Sequence, residues 1–248
     1  MVQSLVVGTT AGDPLWLASC ASCGLGGHSF AQRAASAFKQ ILPRLGGFWR
    51  QQKWRANTND PEKARCKSVE FGFSGMPGGS EVQRRAQRQN CAFRLRSMFD
   101  VEGKCFYDEF IVPWLSEAWN LVHKVNPSAA SEQLRQVPAS LRLAGTGFTK
   151  ITVALNNPSP LHIDTNNFGL TVVCAYDVSR GTSLKHGSHV VFDAGQKFAI
   201  ILKDHPDGVV AMGPYCRILH ANLASLSGER LVMAAYASED VLGKEGCC

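Results

Sequence analysis

The sequence predicts a mainly β fold with α: a double-stranded β-helix (jelly-roll) core preceded by a helical, basic N-terminal part. Three observations predict it. After Pro138 come short β-branched runs separated by turn residues; before it, apolar residues recur at helical spacing; and the cations crowd into the first hundred residues. The implied division is 1–138 as a helical, loop-rich basic part packing on the core, 139–240 as the jelly-roll core and 241–248 as a tail. At 248 residues with 45% hydrophobic side chains, the chain can bury one sizeable core, or one core with a helical annex.

Leu15 to Cys23 is mildly apolar but has no basic run before it, and no stretch approaches 18 uninterrupted apolar residues, so a soluble intracellular protein without a signal peptide is expected. Cys20 and Cys23 form a CxxC without the second pair that a structural zinc needs. Nine irregularly spaced cysteines are not the framework of a disulfide-stapled domain and indicate a reducing compartment. Cys247 and Cys248 do not form a CaaX box and read as an exposed terminus.

Phe30, Phe38, Ile41 and Leu42 recur at helical spacing, stop at Pro43, and leave Arg33 and Lys39 on the opposite face. Phe71 to Ser80 is too rich in Gly and Pro for regular structure; Ser80 then caps an Arg-dense helix running to about Met98 that presents Arg84, Arg85 and Arg88 together. A further helix, Tyr107 to Val125, places Ile111, Trp114, Leu115, Ala118, Leu121 and Val122 on one core-facing stripe, with Pro113 tolerable only in a first turn. The net charge is +6, but between Ala31 and Arg96 there are 14 Lys or Arg against four acidic residues, a local +10. Such a block suits a phosphate backbone, where each neutralised phosphate releases counterion; its plain alternative is a solvated basic surface. The strand candidates are KITVALN, LTVVCAYDV, HVVFD, KFAIIL, GVVAMG, CRILHANL and RLVMAAYAS.

His162 and Asp164 follow the first of these runs with one residue between them, so an extended backbone aims both side chains from one face. An HxD pair is common by chance and needs a third ligand. His220, 58 residues on in CRILHANL, supplies it if a late strand lies beside an early one. Two histidines and a carboxylate form the facial triad, leaving three adjacent positions on Fe(II) for a bidentate 2-oxo acid and O₂. Arg230, ten residues after His220 and opening the last strand, is expected on a neighbouring antiparallel strand, where its fork suits a buried carboxylate. His186 and His189 are assigned to a turn and a strand start, and Asp193 to that strand's end, outside the ligand set. Tyr236 alternates with Ala234 and Arg230, so it lines the pocket beside the cosubstrate or packs in the core.

Gly145-Thr146-Gly147-Phe148-Thr149, Thr152-Val153, Asn156, His162-x-Asp164, Gly169, and His220 with Ser227-Gly228-Glu229-Arg230 resemble the ten-eleven-translocation and base-J-binding-protein (TET/JBP) family of Fe(II)/2-oxoglutarate-dependent oxygenases. The resemblance covers roughly Leu141 to Ser238, and Gln133 to Leu143 looks like what precedes the core in algal and protist members. It implies oxidation of the methyl of 5-methylcytosine or thymine, with His162, Asp164 and His220 on iron, Arg230 on 2-oxoglutarate, and Asn156 beside the cosubstrate. After Asp164, some relatives carry an acidic residue that reads the cytosine edge; here stand Asn166 and Asn167, which both donate and accept. The usual double glycine is reduced to Gly181 and His186-Gly187-Ser188-His189.

Chemistry on a base methyl requires extruding the base, for which Arg84, Arg85 and Arg88 are the candidate groove. Methylated duplex DNA is the expected partner and the nucleus the expected location, with a monomer expected. Two other readings keep part of the pattern: an Fe(II)/2-oxoglutarate hydroxylase of a protein or small molecule, and a catalytically silent jelly-roll binding module. Ascorbate replaces 2-oxoglutarate in one algal branch of the family and is the alternative cosubstrate.

Overall fold

The computed structural model describes residues 5–8, 14–42, 67–73, 95–96, 101–156, 158–180, 187–193, 198–202, 205, 207–225 and 227–239. Its strands are β1 (Leu5–Gly8), β2 (Pro14–Ser19), β3 (Lys67–Phe73), β4 (Leu95–Arg96), β5 (Lys150–Leu155), β6 (Ser159–His162), β7 (Asn167–Asp177), β8 (His189–Asp193), β9 (Phe198–Leu202), β10 (Val209–Gly213), β11 (Leu219–Asn222) and β12 (Arg230–Ser238). They pair antiparallel into a larger sheet, ordered β1-β2-β10-β7-β12-β5-β3-β4, and a smaller one, ordered β6-β11-β8-β9. Strands β5 to β12 pass back and forth between the two sheets, with β8 and β9 paired in succession in the smaller one, as in a jelly roll. All seven strand candidates after residue 150 are present.

The period of two decides what each strand residue faces. On β7, Val172, Cys174 and Tyr176 join the helix-side core, whereas Val173 and Ala175 join the core between the sheets. On β12, Leu231, Met233 and Ala235 face the helices and Val232 packs between the sheets. The same alternation turns Arg230, Ala234 and Tyr236 toward the smaller sheet.

Helix α1 (His28–Ile41) buries Ala31, Ala34, Ala35, Phe38 and Ile41 and leaves Arg33 and Lys39 exposed, as its spacing predicts. Helix α2 (Val101–Phe106) continues through a π turn (Tyr107–Ile111) into α3 (Val112–Val125). Pro113 cannot donate to the helical ladder, and the π turn just before it lets the helix pass without a break. Trp114 and Trp119 are buried, so this stripe is core and not a stacking platform. Helix α4 (Pro127–Gln136) is tied to the sheet by buried Gln133, whose Nε2 donates to Gly147 O (3.1 Å) and Leu170 O (3.3 Å) and whose Oε1 accepts from Leu170 N (2.8 Å). Gly169 at φ +64° makes this approach possible: a Cβ there would lie 2.4 Å from Gln133 Oε1.

The described residues of the N-terminal part include strands beside its helices: β1 to β4 widen the larger sheet on both flanks. Phe71–Phe73, expected as loop, ends β3, and Leu95–Arg96, expected as helix, is β4, paired Gly72↔Arg96 and Phe73↔Leu95. An open sheet edge offers backbone partners that outweigh local helix propensity. Arg84, Arg85 and Arg88 lie outside the described residues. Among the described residues, no helix is long and apolar enough to cross a membrane.

Candidate active site

Strands β6 and β11 lie side by side in the smaller sheet with His162 and His220 in direct register, so both side chains leave the same face. Their ring centroids are 4.2 Å apart. Asp164 sits in the turn that leaves β6, anchored by its own N–H to Tyr215 O (3.2 Å) and by Asn167 N to Asp164 O (2.9 Å). Its carboxylate faces both imidazoles, Oδ1 at 3.3 Å from His162 Nε2 and Oδ2 at 3.7 Å from His220 Nε2. The three ligand atoms lie within 4.8 Å of one another.

The donor chemistry fits a divalent first-row metal. His162 Nδ1 meets Pro160 O at 2.7 Å and His220 Nδ1 meets Ile218 O at 2.9 Å. A carbonyl only accepts, so each Nδ1 carries the proton and each Nε2 keeps a lone pair for the shared centre. Hydrogen bonding to Asp164 raises the His162 pKa, whereas burial lowers that of His220, so the buried ligand is the more readily neutral one. Asn167 Nδ2 donates to Asp164 Oδ2 at 3.0 Å, holding the carboxylate from behind. Asn166 is exposed, and its backbone oxygen accepts from Glu239 N (2.8 Å).

Arg230 opens β12, as expected, but not on a strand next to β11. The two strands belong to different sheets, and the buried side chain reaches from β12 to Asn222 of β11. Arg230 is 2% exposed. Its Nη2 donates to Asn222 Oδ1 of β11 at 2.6 Å, and Nη1 donates to Gly187 O. Its backbone N–H donates to Asn156 Oδ1 (2.8 Å), and Asn156 adopts φ +48° to present that oxygen. Asn156 therefore touches the backbone that carries Arg230. A guanidinium fork buried between the two sheets suits a carboxylate ligand.

Tyr236 faces the same side of β12 as Arg230. Its hydroxyl donates to Glu70 Oε2 (2.9 Å), lies 3.4 Å from Thr152 Oγ1, and is held well above the ordinary phenol pKa by burial and by Glu70. Lys150 Nζ stands 3.8 Å from Glu70 Oε1, so a polar patch from β3, β5 and β12 flanks the inter-sheet space.

Three residues outside the sequence-predicted set complete the interior. His189 starts β8, as expected, opposite Asn222. Its Nδ1 meets Asn222 Oδ1 at 2.9 Å and its Nε2 meets the Tyr215 hydroxyl at 2.9 Å. Tyr215 in turn packs edge-on against His220, with centroids 4.7 Å apart. Alternation from His220 would have marked Asn222, two residues on in the same strand; the partnership with His189 depends on strand pairing, which periodicity does not reveal.

No family model matches the chain, and no curated protein matches it in sequence. Among solved structures, NgTET1 in complex with 5mC DNA is similar with a TM-score of 0.52 at 10% identity, covering 83% of this chain and 69% of that one. A prolyl hydroxylase from Trichoplax adhaerens, in complex with a hypoxia inducible factor oxygen degradation domain peptide fragment, gives 0.45 at 15% identity, covering 95% and 84%. A dioxygenase for auxin oxidation in rice gives 0.45 at 13% identity, covering 87% and 69%. At such identities the likeness is one of fold, and the NgTET1 match agrees with the jelly roll described above.

Proposed function

We propose that this chain is an Fe(II)- and 2-oxoglutarate-dependent dioxygenase that oxidises the methyl group of 5-methylcytosine, or of thymine, in DNA. The observation that carries the oxygenase reading is the convergence of His162 Nε2, His220 Nε2 and the Asp164 carboxylate within 4.8 Å, beside the buried Arg230. The DNA reading is supported by the motif resemblance and by the fold likeness to NgTET1, solved with 5mC DNA.

His162, Asp164 and His220 would hold the iron, which supplies oxidation of a C–H bond coupled to decarboxylation of the 2-oxo acid. The atoms balance as 2-oxoglutarate, O₂ and a methyl group giving succinate, CO₂ and a hydroxymethyl group. Arg230 fixes the distal carboxylate of the cosubstrate, with Asn156 setting its backbone. Asn167 keeps Asp164 turned toward the histidines. Asn166, exposed two residues after Asp164, is the group offered to the base, Tyr236 on the inner face of β12 lines the pocket beside the cosubstrate, and the basic stretch with Arg84, Arg85 and Arg88 supplies the phosphate contacts.

Anaerobic reconstitution with Fe(II), followed by methylated duplex, O₂ and either 2-oxoglutarate or ascorbate, tests this by nucleoside mass spectrometry. Oxidised 5-methylcytosine that vanishes in His162→Ala supports the reading, and the productive cosubstrate decides between the two. Succinate formation without nucleoside change would move the substrate to a protein or small molecule. No turnover of either cosubstrate would leave a binding module.

A further inference from the structure

We infer that His189 is a positioning residue for cosubstrate binding: through Asn222 it sets the Arg230 guanidinium for the distal carboxylate of a 2-oxo acid. The inference rests on the reading above that the site takes 2-oxoglutarate.

The hydrogen bonds run in one direction. Asn222 Oδ1 accepts from Arg230 Nη2 at 2.6 Å. The same oxygen lies 2.9 Å from His189 Nδ1, which must therefore carry the proton. His189 Nε2 then has only a lone pair and accepts from the Tyr215 hydroxyl at 2.9 Å. At the other end of the carboxamide, Asn222 Nδ2 donates to Ser159 Oγ at 2.9 Å. Both ring nitrogens are committed, so this histidine, although 5.7 Å by ring centroid from His220, is not a fourth ligand.

A carboxamide is nearly symmetric in shape, and its neighbours decide which end faces which way. With His189 donating, the oxygen points to Arg230 and attracts the guanidinium. An apolar side chain at 189 removes the donor that fixes the oxygen; the Ser159 hydroxyl accepts or donates and so tolerates either end, which lets the carboxamide turn its NH₂ toward the cation and displace the fork. Burial strengthens the effect, since His189 is 3% and Arg230 2% exposed, and a misdirected dipole there has no solvent to offset it. His189 touches no ligand in this scheme and acts entirely through Asn222.

The test uses two variants and two ligands on the full chain. His189→Leu removes both hydrogen bonds; His189→Gln retains a donor for Asn222 and an acceptor for Tyr215. Binding of 2-oxoglutarate and of pyruvate, which has the same 2-oxo acid head but no distal carboxylate, is measured anaerobically by calorimetry on Fe(II)-loaded protein, with iron affinity titrated separately. His189→Leu is expected to weaken 2-oxoglutarate about 10- to 100-fold, equivalent to about 1.4 to 2.8 kcal/mol, while pyruvate and iron affinities move less than about threefold. His189→Gln is expected to restore 2-oxoglutarate to within about threefold of wild type. Equal losses for both acids, no loss in His189→Leu, or a glutamine variant as poor as the leucine would overturn the assignment. If His189→Leu does not fold, Tyr215→Phe frees the imidazole at its far end and must still weaken 2-oxoglutarate relative to pyruvate. A wild type that does not bind 2-oxoglutarate defeats the cosubstrate reading itself, before any variant is compared, and this inference with it.

Discussion

His189 also has a thermodynamic signature. Burial lowers its pKa from 6.5 to about 3, so between those values the unfolded chain binds a proton that the folded chain refuses. The stability tied to neutral His189 is whole above about pH 6.5 and is lost as pH falls toward 3, at a limiting slope of about 1.4 kcal/mol per pH unit. Urea midpoints of metal-free protein between pH 7 and 5 should therefore fall faster in wild type than in His189→Gln; parallel curves would contradict the assignment. Asn167 has a different task, its amide holding Asp164 Oδ2 at 3.0 Å. Asn167→Leu should lower iron affinity roughly 10-fold, read by competition with a chelator, without changing the ligands themselves. The triad was legible in the residues because HxD and a distant histidine are a chemical pattern. His189 was not, because a histidine at a strand start has no partner until the sheet is paired.

Elements tell the same story with different physics. The seven late strands were visible through β-branching and turn punctuation, and α1 and α3 through apolar spacing. What escaped was β1 to β4 and β6, among them a strand ending in a Gly-rich stretch, a two-residue strand and a Pro-containing edge, held in place by neighbours more than by their own composition. Gln133 shows how one polar side chain fastens two elements, closing three hydrogen bonds between α4, the loop at Gly147 and β7. Gln133→Leu leaves buried backbone groups at Gly147 and Leu170 without those bonds and should cost about 2 to 4 kcal/mol, seen as a lowered thermal midpoint with cooperative unfolding retained. Because β7 is followed across the sheet by β12, loosening this contact should also raise hydrogen exchange at β12 amides.

At the scale of the whole molecule, the helices cover one face of the larger sheet and the smaller sheet covers the other, so the triad and Arg230 come together only where two sheets meet. That architecture follows from strand rhythm; which sheet each ligand strand joins does not, and Arg230 was accordingly expected beside His220 when it lies across from it. Charge is the second global feature. With a local +10 between Ala31 and Arg96, DNA affinity should fall steeply with salt, and replacing Arg84, Arg85 and Arg88 together with Gln should flatten the log–log slope by about 2.7 if each meets a phosphate. Fluorescence anisotropy across a salt series measures both; a slope near zero in wild type would set the basic block down as solvated surface.

The three ligand side chains are unequally sheltered: His220 is 5% exposed, but His162 is 37% and Asp164 31%, and β6 borders the smaller sheet with a register shift in its pairing to β11. A bound ion would then act as a clasp on a strand that otherwise peels easily. Its departure would be timed by how often β6 lifts away, so urea far below the unfolding midpoint should already hasten release to a chelator. The centre would lose its metal from the rim inward, His162 letting go first and His220 last.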